Sequence, residues 1–546
     1  MERNGMKSVL IAGGGVAALE AALALRSLAE DRVHVQLLAP EPRFWYRPLS
    51  VAAPFELGAV RYYELDGLAR RIGADVVPGG LVGVDAWRHI AHTSKNTQIE
   101  YDALLIACGA LPMPAIPGAV TFRGPADVEQ IQQLLRDAAS ANVHSVAFVI
   151  PWGAVYSLPA YELALLTADH LERRGLGGVE ITLVTPEHEP LQAFGPTASE
   201  ALRELFADRG IALRTGAYPK DVVDGAVRLI PEGEVVADRV VALPRLEGAP
   251  IDGIPQTVFG FVPVDAHCHV TGVEDVYAAG DITSFTVKHG GLATQQADAA
   301  AEAIAASVGV DVVPERFRPI LRGMLLTGRR PRYLRRELRV DPEVEPTVST
   351  DALWWPPAKI VGRHLAPFLA SIDSEGDSLV EPAPDEAAVV VVEREIEPGE
   401  VEGLEPSPRS LLFSEGDEDR CAADLMSAPL AAAPEDTLAE IAERMVKEEV
   451  HVATVEEYGQ LIGILTSSDL IRAFAARAHP SGARARQWMT AEPVTVGRDA
   501  PIPALRMLME QYRVDHLPVV QGDRVHGMVT RDDVERELVL SPGLGF

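Results

Sequence analysis

Two glycine-marked strand ends, far apart in the sequence, constrain this chain more than any other feature. The first is a short apolar strand that runs through Gly13 and Gly15 into an alanine-rich helix containing Ala18. The second is an apolar strand that ends in Gly280 and Asp281 and is followed by another alanine-rich helix. Glycines let backbone N–H groups approach a ligand, and a helix N-terminus attracts negative charge. The first strand end therefore suits a pyrophosphate, and the second adds a carboxylate.

Together these strand ends resemble the flavin site of the glutathione-reductase-like superfamily, whose members contain two dinucleotide-binding domains. The resemblance implies bound FAD, with Asp281 holding the ribityl chain and with Gly280 and Gly291 beside it. The turn that ends in Gly109 is similar to the Ala-Thr-Gly turn of this superfamily, with Cys108 in place of threonine. We expect Cys108 to be a buried packing residue rather than a redox thiol.

The adenosine ribose of such a cofactor is usually held by an acidic residue about 20 residues beyond the glycine turn. Here Ala39 occupies the expected place at the end of the second strand, and Glu41 follows it. Glu41 is therefore either the residue that binds the ribose or a carboxylate that only faces solvent.

Apolar strands alternate with alanine- and leucine-rich helices, which predicts an α/β fold with parallel sheets. We predict two Rossmann-like dinucleotide-binding domains of the glutathione-reductase-like type, the first discontinuous, followed by a tandem CBS module. The predicted parts are an FAD-binding domain at 1–120 and 245–312, a second, NAD(P)-binding-like domain at 121–244, an interface segment at 313–372, an acidic linker at 373–420 and the CBS pair at 421–546.

The assignment of the last part depends on an internal repeat with a period of about 64 residues. Each copy ends with an apolar strand, a threonine and, three residues later, an aspartate, and both copies resemble CBS domains. The resemblance implies an adenine nucleotide, AMP or ATP, as ligand. The matching positions are Thr466 with Asp469 and Thr530 with Asp533. Helix capping, which needs the same side chains, is the alternative role.

The second dinucleotide-like domain lacks the usual glycine fingerprint after its first strand. Only Gly153 allows close backbone approach there, and Trp152 and Tyr156 stand where a pyrophosphate needs space. We therefore do not expect NAD(P)H to bind in the ordinary way, and binding through a divergent loop is the alternative. Glu187 either holds a nicotinamide-nucleotide ribose or lies exposed on the surface.

Two further motifs, Phe44–Leu49 and Pro159–Glu162, resemble sulfide:quinone oxidoreductases and type II NADH dehydrogenases. The resemblance implies electron transfer through FAD to a quinone, with Glu162 near the flavin as a proton relay. A solvated helix-start carboxylate is the alternative for Glu162. Lys288 precedes the second alanine-rich helix, where a cation would stabilise the anionic reduced flavin, or it is an exposed loop residue. No cysteine occurs in 286–291, so we do not expect cysteine-based sulfide oxidation.

Composition narrows the classes of partner. The net charge of -30 argues against a nucleic-acid partner. Three cysteines form no disulfide framework, so we expect a cytoplasmic protein. We expect no metal site. The basic stretch 320–336 and the aromatic stretch 353–369 suit either peripheral membrane contact or a protein interface. Prolines interrupt a long amphipathic helix there, which favours protein contact. A homodimer is implied by the resemblance.

The sequence thus predicts an FAD-dependent oxidoreductase with an adenine-nucleotide-sensing CBS pair. Electrons would pass from an unidentified small-molecule donor through FAD to a quinone or similar acceptor. One alternative is an NAD(P)H:quinone-type dehydrogenase with a divergent nicotinamide loop. Another is a non-catalytic flavin or nucleotide sensor that acts through a partner.

Overall fold

The structure is a computed structural model that describes most of the chain. The described residues are 6–230, 233–257, 259–338, 347–354, 358–374, 379–380, 421–448, 450–467, 469–470, 473, 482–491, 493–512, 514–521 and 524–534. The acidic linker predicted at 373–420 lies almost entirely outside them. Contacts between Cα atoms divide the chain into two compact units, Met1–Ala383 and Pro384–Phe546.

The helices of the first unit include amphipathic helices and alanine-rich helices. In chain order the helices are α1 (Val16–Ala29), α2 (Leu65–Ile72), α3 (Val128–Ala139), α4 (Leu158–Arg173), α5 (Pro196–Asp208), α6 (Gly290–Ser307) and α7 (Leu365–Ser374). Helices such as α3 bury one apolar stripe and expose the opposite face. In contrast, α1 and α6 are alanine-rich and pack closely on each other in the core. Small side chains allow this close packing of two helices.

The first parallel sheet contains both of the glycine-marked strands. Across the sheet the strands lie in the order Val276–Ala278, Ala103–Ile106, Lys7–Ala12, Val33–Ala39 and Asp75–Pro78. Every neighbouring pair runs parallel. Helices α1 and α6 cover one face, and a small antiparallel sheet packs on the other. Burial on both faces explains why these strands are continuously apolar.

The second parallel sheet repeats this architecture, with five strands and helices against it. Its order is Val120–Thr121, Arg239–Ala242, Ser145–Val149, Glu180–Val184 and Ile211–Arg214. All four pairings are parallel. Apolar residues of α3, α4 and α5 form its main core. The two parallel sheets with their helices confirm the predicted α/β class.

Short antiparallel sheets complete the first unit. They comprise Leu81–Asp85, Ile90–Thr93 and Gln98–Glu100; Arg43–Tyr46, Arg61–Glu64 and Leu379–Val380; Ala110–Met113 and Arg245–Gly248; Tyr218–Val223, Ala226–Ile230 and Glu234–Val236; and Ile320–Leu325, Arg332–Glu337 and Thr347–Ser349. The arginine-rich stretch is thus a β-hairpin, whose leucines Leu321, Leu325 and Leu334 are buried in the core of the second sheet. No helix among the described residues is long and apolar enough to cross a membrane.

The second unit has two similar halves, as the internal repeat predicts. Its helices are α8 (Ala422–Leu425), α9 (Leu438–Lys447), α10 (Ala485–Trp488) and α11 (Ile502–Tyr512). Its sheets comprise Leu430–Ala432, Val452–Glu457, Gln460–Thr466 and Thr490–Ala491, and Val496–Gly497, His516–Gln521 and Arg524–Thr530. Met489 packs against Gly463, and Met426 packs against Gly527. Equivalent methionine–glycine contacts in the two halves explain why both copies of the repeat keep a glycine here.

Candidate functional site

Parallel pairing brings the predicted cofactor residues to one edge of the first sheet. Gly13, Gly109 and Gly280 each lie just beyond the carboxyl end of one of three neighbouring strands. A Cβ atom on Gly13 would lie 2.2 Å from the Ala107 carbonyl oxygen, and Gly13 has a φ of +148°. A Cβ atom on Gly280 would lie 3.1 Å from the Cβ of Ala17 in α1. The two distant sequence segments therefore meet at the N-terminus of α1.

The space beside this helix end fits a pyrophosphate. Gly15 is the N-cap residue of α1, and no side chain of the described residues caps the helix there. Cβ atoms on Gly15 and Gly109 would meet no atom of the described residues within 4 Å. Free N–H groups that face open space at a helix N-terminus bind phosphate oxygens well. Ala18 is fully buried in α1, where its small side chain serves packing in the core.

Asp281 has the properties expected of a residue that binds a polyhydroxyl chain. Its carboxylate is half-buried and makes no hydrogen bond to another described residue. Burial raises the pKa of this carboxyl, while the nearby Lys288 and Arg47 lower it. An unsatisfied carboxylate at the edge of a cleft can accept hydrogen bonds from ligand hydroxyls. The residues at this edge therefore fit FAD in their shape and in their donors and acceptors.

Lys288 is buried, so the alternative of an exposed loop residue is wrong. Its ammonium donates to the carbonyl oxygens of Thr283 and Phe285, the latter at 2.5 Å, and lies 4.0 Å from the centroid of the Phe261 ring. The carbonyl oxygens and the aromatic face together compensate the buried charge. Lys288 is thus a fixed positive charge near Asp281.

Glu41 and Cys108 lie at the same edge of the sheet. The structure leaves the alternatives for Glu41 open and corrects the expectation for Cys108. Glu41 is half-buried just beyond Ala39, and its carboxylate makes no hydrogen bond to another described residue. Its two alternatives, a residue that binds the ribose and a carboxylate that only faces solvent, both stay open. The expectation that Cys108 is buried is wrong, because the residue is exposed. The surrounding protein still disfavours the thiolate and raises the pKa of Cys108 to about 12, so the thiol is protonated at neutral pH.

A cavity of about 260 Å³ lies between the two parallel-sheet regions. The second region contributes Tyr156 and the first turns of α4, and the first contributes Arg47 and the residues that precede α6. Charged and titratable side chains on the cavity wall are Arg47, Arg123, Tyr156, Glu162, Lys288, His289 and Lys359. Burial and the nearby Lys359 lower the pKa of His289 to about 4, so its imidazole is neutral at pH 7.

Glu162 and Lys359 form a buried ion pair on this wall. The Lys359 Nζ donates to both carboxylate oxygens of Glu162 at 2.6 Å, and the Leu326 N–H donates to Oε1 at 2.8 Å. Side-chain exposure is 1% for Glu162 and 8% for Lys359, so a solvated helix-start carboxylate is excluded. Burial raises the pKa of Glu162, and the Lys359 charge opposes that rise. The pair can hold or release a proton at the cavity.

Lys359 was not predicted from the sequence. The sequence feature that could have indicated a buried lysine is its apolar surroundings. Lys359 stands between Pro-Pro-Ala and Ile-Val-Gly, in a segment whose other cations are arginines. A lysine amid apolar residues is more often buried and paired than one in a charged stretch. The distance along the chain between Glu162 and Lys359 concealed the pairing.

The second parallel sheet shows how its dinucleotide-like features are used. Glu187 is half-buried and accepts hydrogen bonds from Ser157 Oγ at 3.1 Å, Tyr161 OH at 2.6 Å and Thr185 Oγ1 at 3.2 Å. The expectation of an exposed Glu187 is therefore wrong. Its carboxylate is occupied by protein donors, which leaves little capacity for a nucleotide ribose.

The loop that follows the strand Ser145–Val149 packs against the first region of the unit. The ring of Tyr156 lies 4.9 Å from that of His289, and the Val155 carbonyl accepts the Lys288 N–H at 3.3 Å. These contacts occupy the place where a glycine-rich loop would cradle a pyrophosphate. The arrangement does not favour ordinary NAD(P)H binding.

In the second unit each threonine–aspartate pair forms a reciprocal cap. The Thr466 N–H and Oγ1 both donate to Asp469 Oδ2, at 2.7 and 2.8 Å. The Thr530 N–H and Oγ1 donate to Asp533 Oδ2, at 2.9 and 2.6 Å. The capping role is therefore present in both halves. A nucleotide role for these four residues remains a proposal.

Comparisons with known protein families identify both units. The family described as pyridine nucleotide-disulphide oxidoreductase matches residues 7–303. The CBS domain family matches residues 422–476 and 485–540. The solved structure of a sulfide:quinone oxidoreductase from Aquifex aeolicus superposes with a TM-score of 0.59 at 20% identity, and the match covers 63% of this chain and 86% of that one. At this identity the superposition shows a shared fold.

Individual relatives match parts of the chain. Rhodocoxin reductase of Rhodococcus erythropolis is 26% identical over 306 residues, which is 51% of this chain and 66% of that protein. Sulfide-quinone reductase of Aquifex aeolicus is 26% identical over 219 residues, 38% of this chain and 50% of that protein. L-aspartate semialdehyde sulfurtransferase of Methanocaldococcus jannaschii is 31% identical over 114 residues, 20% of this chain and 22% of that protein. The chain therefore matches between about a fifth and two thirds of the length of these relatives. It belongs to the pyridine nucleotide-disulphide oxidoreductase family and carries a tandem pair of CBS domains after the oxidoreductase portion.

Proposed function

We propose that the protein is an FAD-dependent oxidoreductase that passes electrons from a small-molecule donor to a quinone or similar acceptor. The observation that carries the proposal is the buried Glu162–Lys359 pair on a cavity wall between the two parallel-sheet regions. A proton-holding pair is needed where a two-electron acceptor such as a quinone also takes up protons. FAD, when bound, supplies reversible two-electron chemistry at this place.

The residues of this chain have distinct roles in the proposal. Gly13 and Gly15 allow the pyrophosphate to approach α1, and Asp281 accepts hydrogen bonds from the ribityl hydroxyls. Lys288 supplies a fixed positive charge that favours an anionic reduced cofactor. Glu162 delivers or accepts the proton, and Lys359 keeps its carboxylate charged until then.

The donor is the least constrained part of the proposal. The occupied Glu187 and the packed Tyr156 support a donor other than NAD(P)H. None of the described residues that line the cavity is a cysteine, which supports a donor that is not processed through enzyme-bound sulfur. The likeness to a sulfide-quinone reductase supports quinone as the acceptor, whereas the likeness to rhodocoxin reductase supports a redox protein.

We further propose that the CBS pair binds an adenine nucleotide and changes the affinity or rate of the oxidoreductase unit. Coupling free energies of about 1–3 kcal/mol correspond to changes of roughly five- to 150-fold. The motif in both halves, with a hydroxyl and a carboxylate at a strand-to-helix junction, supports this role.

Anaerobic titration of the purified full-length protein tests the redox proposal. The visible spectrum should show a flavin band, and denaturation should release FAD. NADH and NADPH should leave that band unbleached, and a chemically reduced sample should regain it on addition of a water-soluble quinone. Rapid bleaching by NADH would instead support the dehydrogenase with a divergent loop. Absence of a flavin in protein purified with added FAD would contradict the proposal.

A further inference from the structure

Residues 359–365, here called the strap, hold Lys359 over the cavity through backbone contacts with three other elements. The Ile360 N–H donates to the Tyr46 hydroxyl at 3.3 Å, and the Val361 carbonyl accepts the Thr294 hydroxyl at 2.9 Å. Its last two residues, His364 and Leu365, donate their N–H groups to the carboxylate oxygens of Glu20, both at 2.7 Å. The strap leads directly from these contacts into α7.

Glu20 is an unusual residue for its place. It lies in the alanine-rich helix α1 and is fully buried. A buried carboxylate is costly unless hydrogen bonds or charges compensate it. The two strap N–H groups provide that compensation. They lie at the N-terminus of α7, where backbone N–H groups have no acceptor within the helix and a negative charge is favoured. Glu20 and the strap therefore stabilise each other.

Steric fit supports the same pairing. A Cβ atom on Gly362 would lie 2.5 Å from the Glu20 Oε2. The glycine thus permits an approach that any other residue would prevent without a shift of the carboxylate or the strap. Asp298 of α6 also faces Glu20, and burial beside that carboxyl raises the pKa of Asp298. A protonated Asp298 leaves the Glu20 carboxylate free to bind the strap.

We propose that Glu20 is a positioning residue: by gripping the strap, it keeps the Lys359 ammonium on the Glu162 carboxylate. It acts from α1, whose N-terminus is the proposed pyrophosphate site, and it touches neither the cavity nor Glu162. The consequence for proton transfer rests on the proposed function, whereas the placement of Lys359 does not.

Amine labelling of the folded full-length chain tests this placement directly. The lysines are Lys7, Lys95, Lys220, Lys288, Lys359 and Lys447. Among them, Lys95 and Lys220 are exposed and serve as internal references, whereas Lys359 is 8% exposed. Acetylation by an N-hydroxysuccinimide ester, followed by mass spectrometry, gives the rate at each lysine.

The variants are Glu20→Gln, which removes the charge that binds the strap, and Gly362→Ala, which forces the strap and Glu20 apart. We expect Lys359 acetylation to be at least about tenfold faster in both, relative to the reference lysines. The matched control is Gly67→Ala in α2, where a Cβ would lie more than 4 Å from every atom in the part of the chain that the structure describes. It should leave the Lys359 rate unchanged.

The proposal would be overturned if Lys359 in either folded variant were acetylated at the same relative rate as Lys359 in the chain without a substitution. Should Glu20→Gln not fold, Gly362→Ala carries the test, because its effect depends only on the close approach. A second readout is the pH profile of quinone-dependent flavin reoxidation, which should shift upward in both variants. Faster labelling of Lys359 without a shift of the pH profile would uphold the positioning role of Glu20 and count against the proposed proton transfer.

Discussion

At the residue scale, the pairing of Glu162 with Lys359 has the largest consequences. Two charges removed from water cost free energy individually, and their close contact offsets much of that cost. Removal of either partner leaves the other buried charge without its counter-ion. The sequence pointed to Glu162 through its resemblance to family motifs, but no local pattern connects that residue with Lys359, which lies 197 positions further along the chain. Only the folded chain reveals the pair.

Replacement of Lys359 by methionine should destabilise the protein by about 3–5 kcal/mol at neutral pH, because it strands the Glu162 carboxylate. The double variant Glu162→Gln, Lys359→Met should recover a large part of that loss, since it buries no unpaired charge. Chemical denaturation of the two single variants and the double variant measures the coupling. Strictly additive effects would show that the two side chains do not stabilise each other.

Gly13 and Gly15, which precede α1, allow an effect on folding to be separated from an effect on the proposed cofactor binding. Among the residues that the structure describes, none has an atom within 4 Å of a methyl group placed at Gly15, so Gly15→Ala should cost less than about 1 kcal/mol of stability. It should nevertheless lower the flavin content, because the methyl group enters the proposed phosphate space. Gly13→Ala should lose stability as well, owing to the 2.2 Å approach to the Ala107 carbonyl. Flavin absorbance per protein and melting temperature test both; normal flavin content in Gly15→Ala would argue against a phosphate there.

At the element scale, α1 and α6 form the junction on which the candidate site depends. Both are alanine-rich, and both begin at the carboxyl edge of the first sheet. Both helices pack in the core of the first sheet. The buried carboxylate of Glu20 and the half-buried carboxylate of Asp298 were not predicted, because Glu20 binds the strap and Asp298 faces Glu20. Polar residues inside apolar helices are visible in a sequence, but their partners are not.

Asp298 makes stability depend on pH in a defined direction. Burial and the nearby Glu20 raise its pKa to about 8 in the folded protein, so the folded chain binds a proton that the unfolded chain releases. Its contribution is complete below about pH 4 and is lost as the pH rises towards 8, at a slope of about 1.4 kcal/mol per unit. Asp298→Asn should flatten that slope in urea denaturation between pH 5 and 8. The exposed control Asp311→Asn should retain it, and an unchanged slope in Asp298→Asn would refute the assignment.

At the scale of the whole molecule, the sequence predicted the class of each part better than the details of the site. Strand ends with glycines and a tandem repeat are local patterns, so the two parallel sheets and the two similar halves could be predicted. The exposure of Cys108 and the occupation of Glu187 depend on contacts across the fold, and both expectations failed. The same limit applies to the arginine-rich stretch at 320–336. It forms a hairpin whose leucines alternate into the core, and this hairpin was not predicted from the sequence.

The proposed nucleotide role of the CBS pair belongs to this scale, because the proposal concerns regulation of one unit by another. Calorimetric titration of the full-length chain with AMP and ATP should give binding heat that is lost in Asp469→Ala, Asp533→Ala. Loss of a helix cap alone costs about 1 kcal/mol. Glu440→Ala removes another reciprocal cap, with Thr437, and should leave nucleotide binding intact. Equal loss in both variants would indicate general destabilisation rather than a ligand site.

The measurement that we would make first is the pH dependence of quinone-dependent flavin reoxidation in the unmodified protein and in Glu162→Gln. A proton held at Glu162 should make the rate of the unmodified protein depend on pH, with an inflection above the ordinary range of a glutamate, as burial raises the pKa of this carboxyl. The variant should reoxidise at least about a hundredfold more slowly, without that inflection. A variant with the same rate and the same profile would contradict a role for the Glu162–Lys359 pair in the reaction.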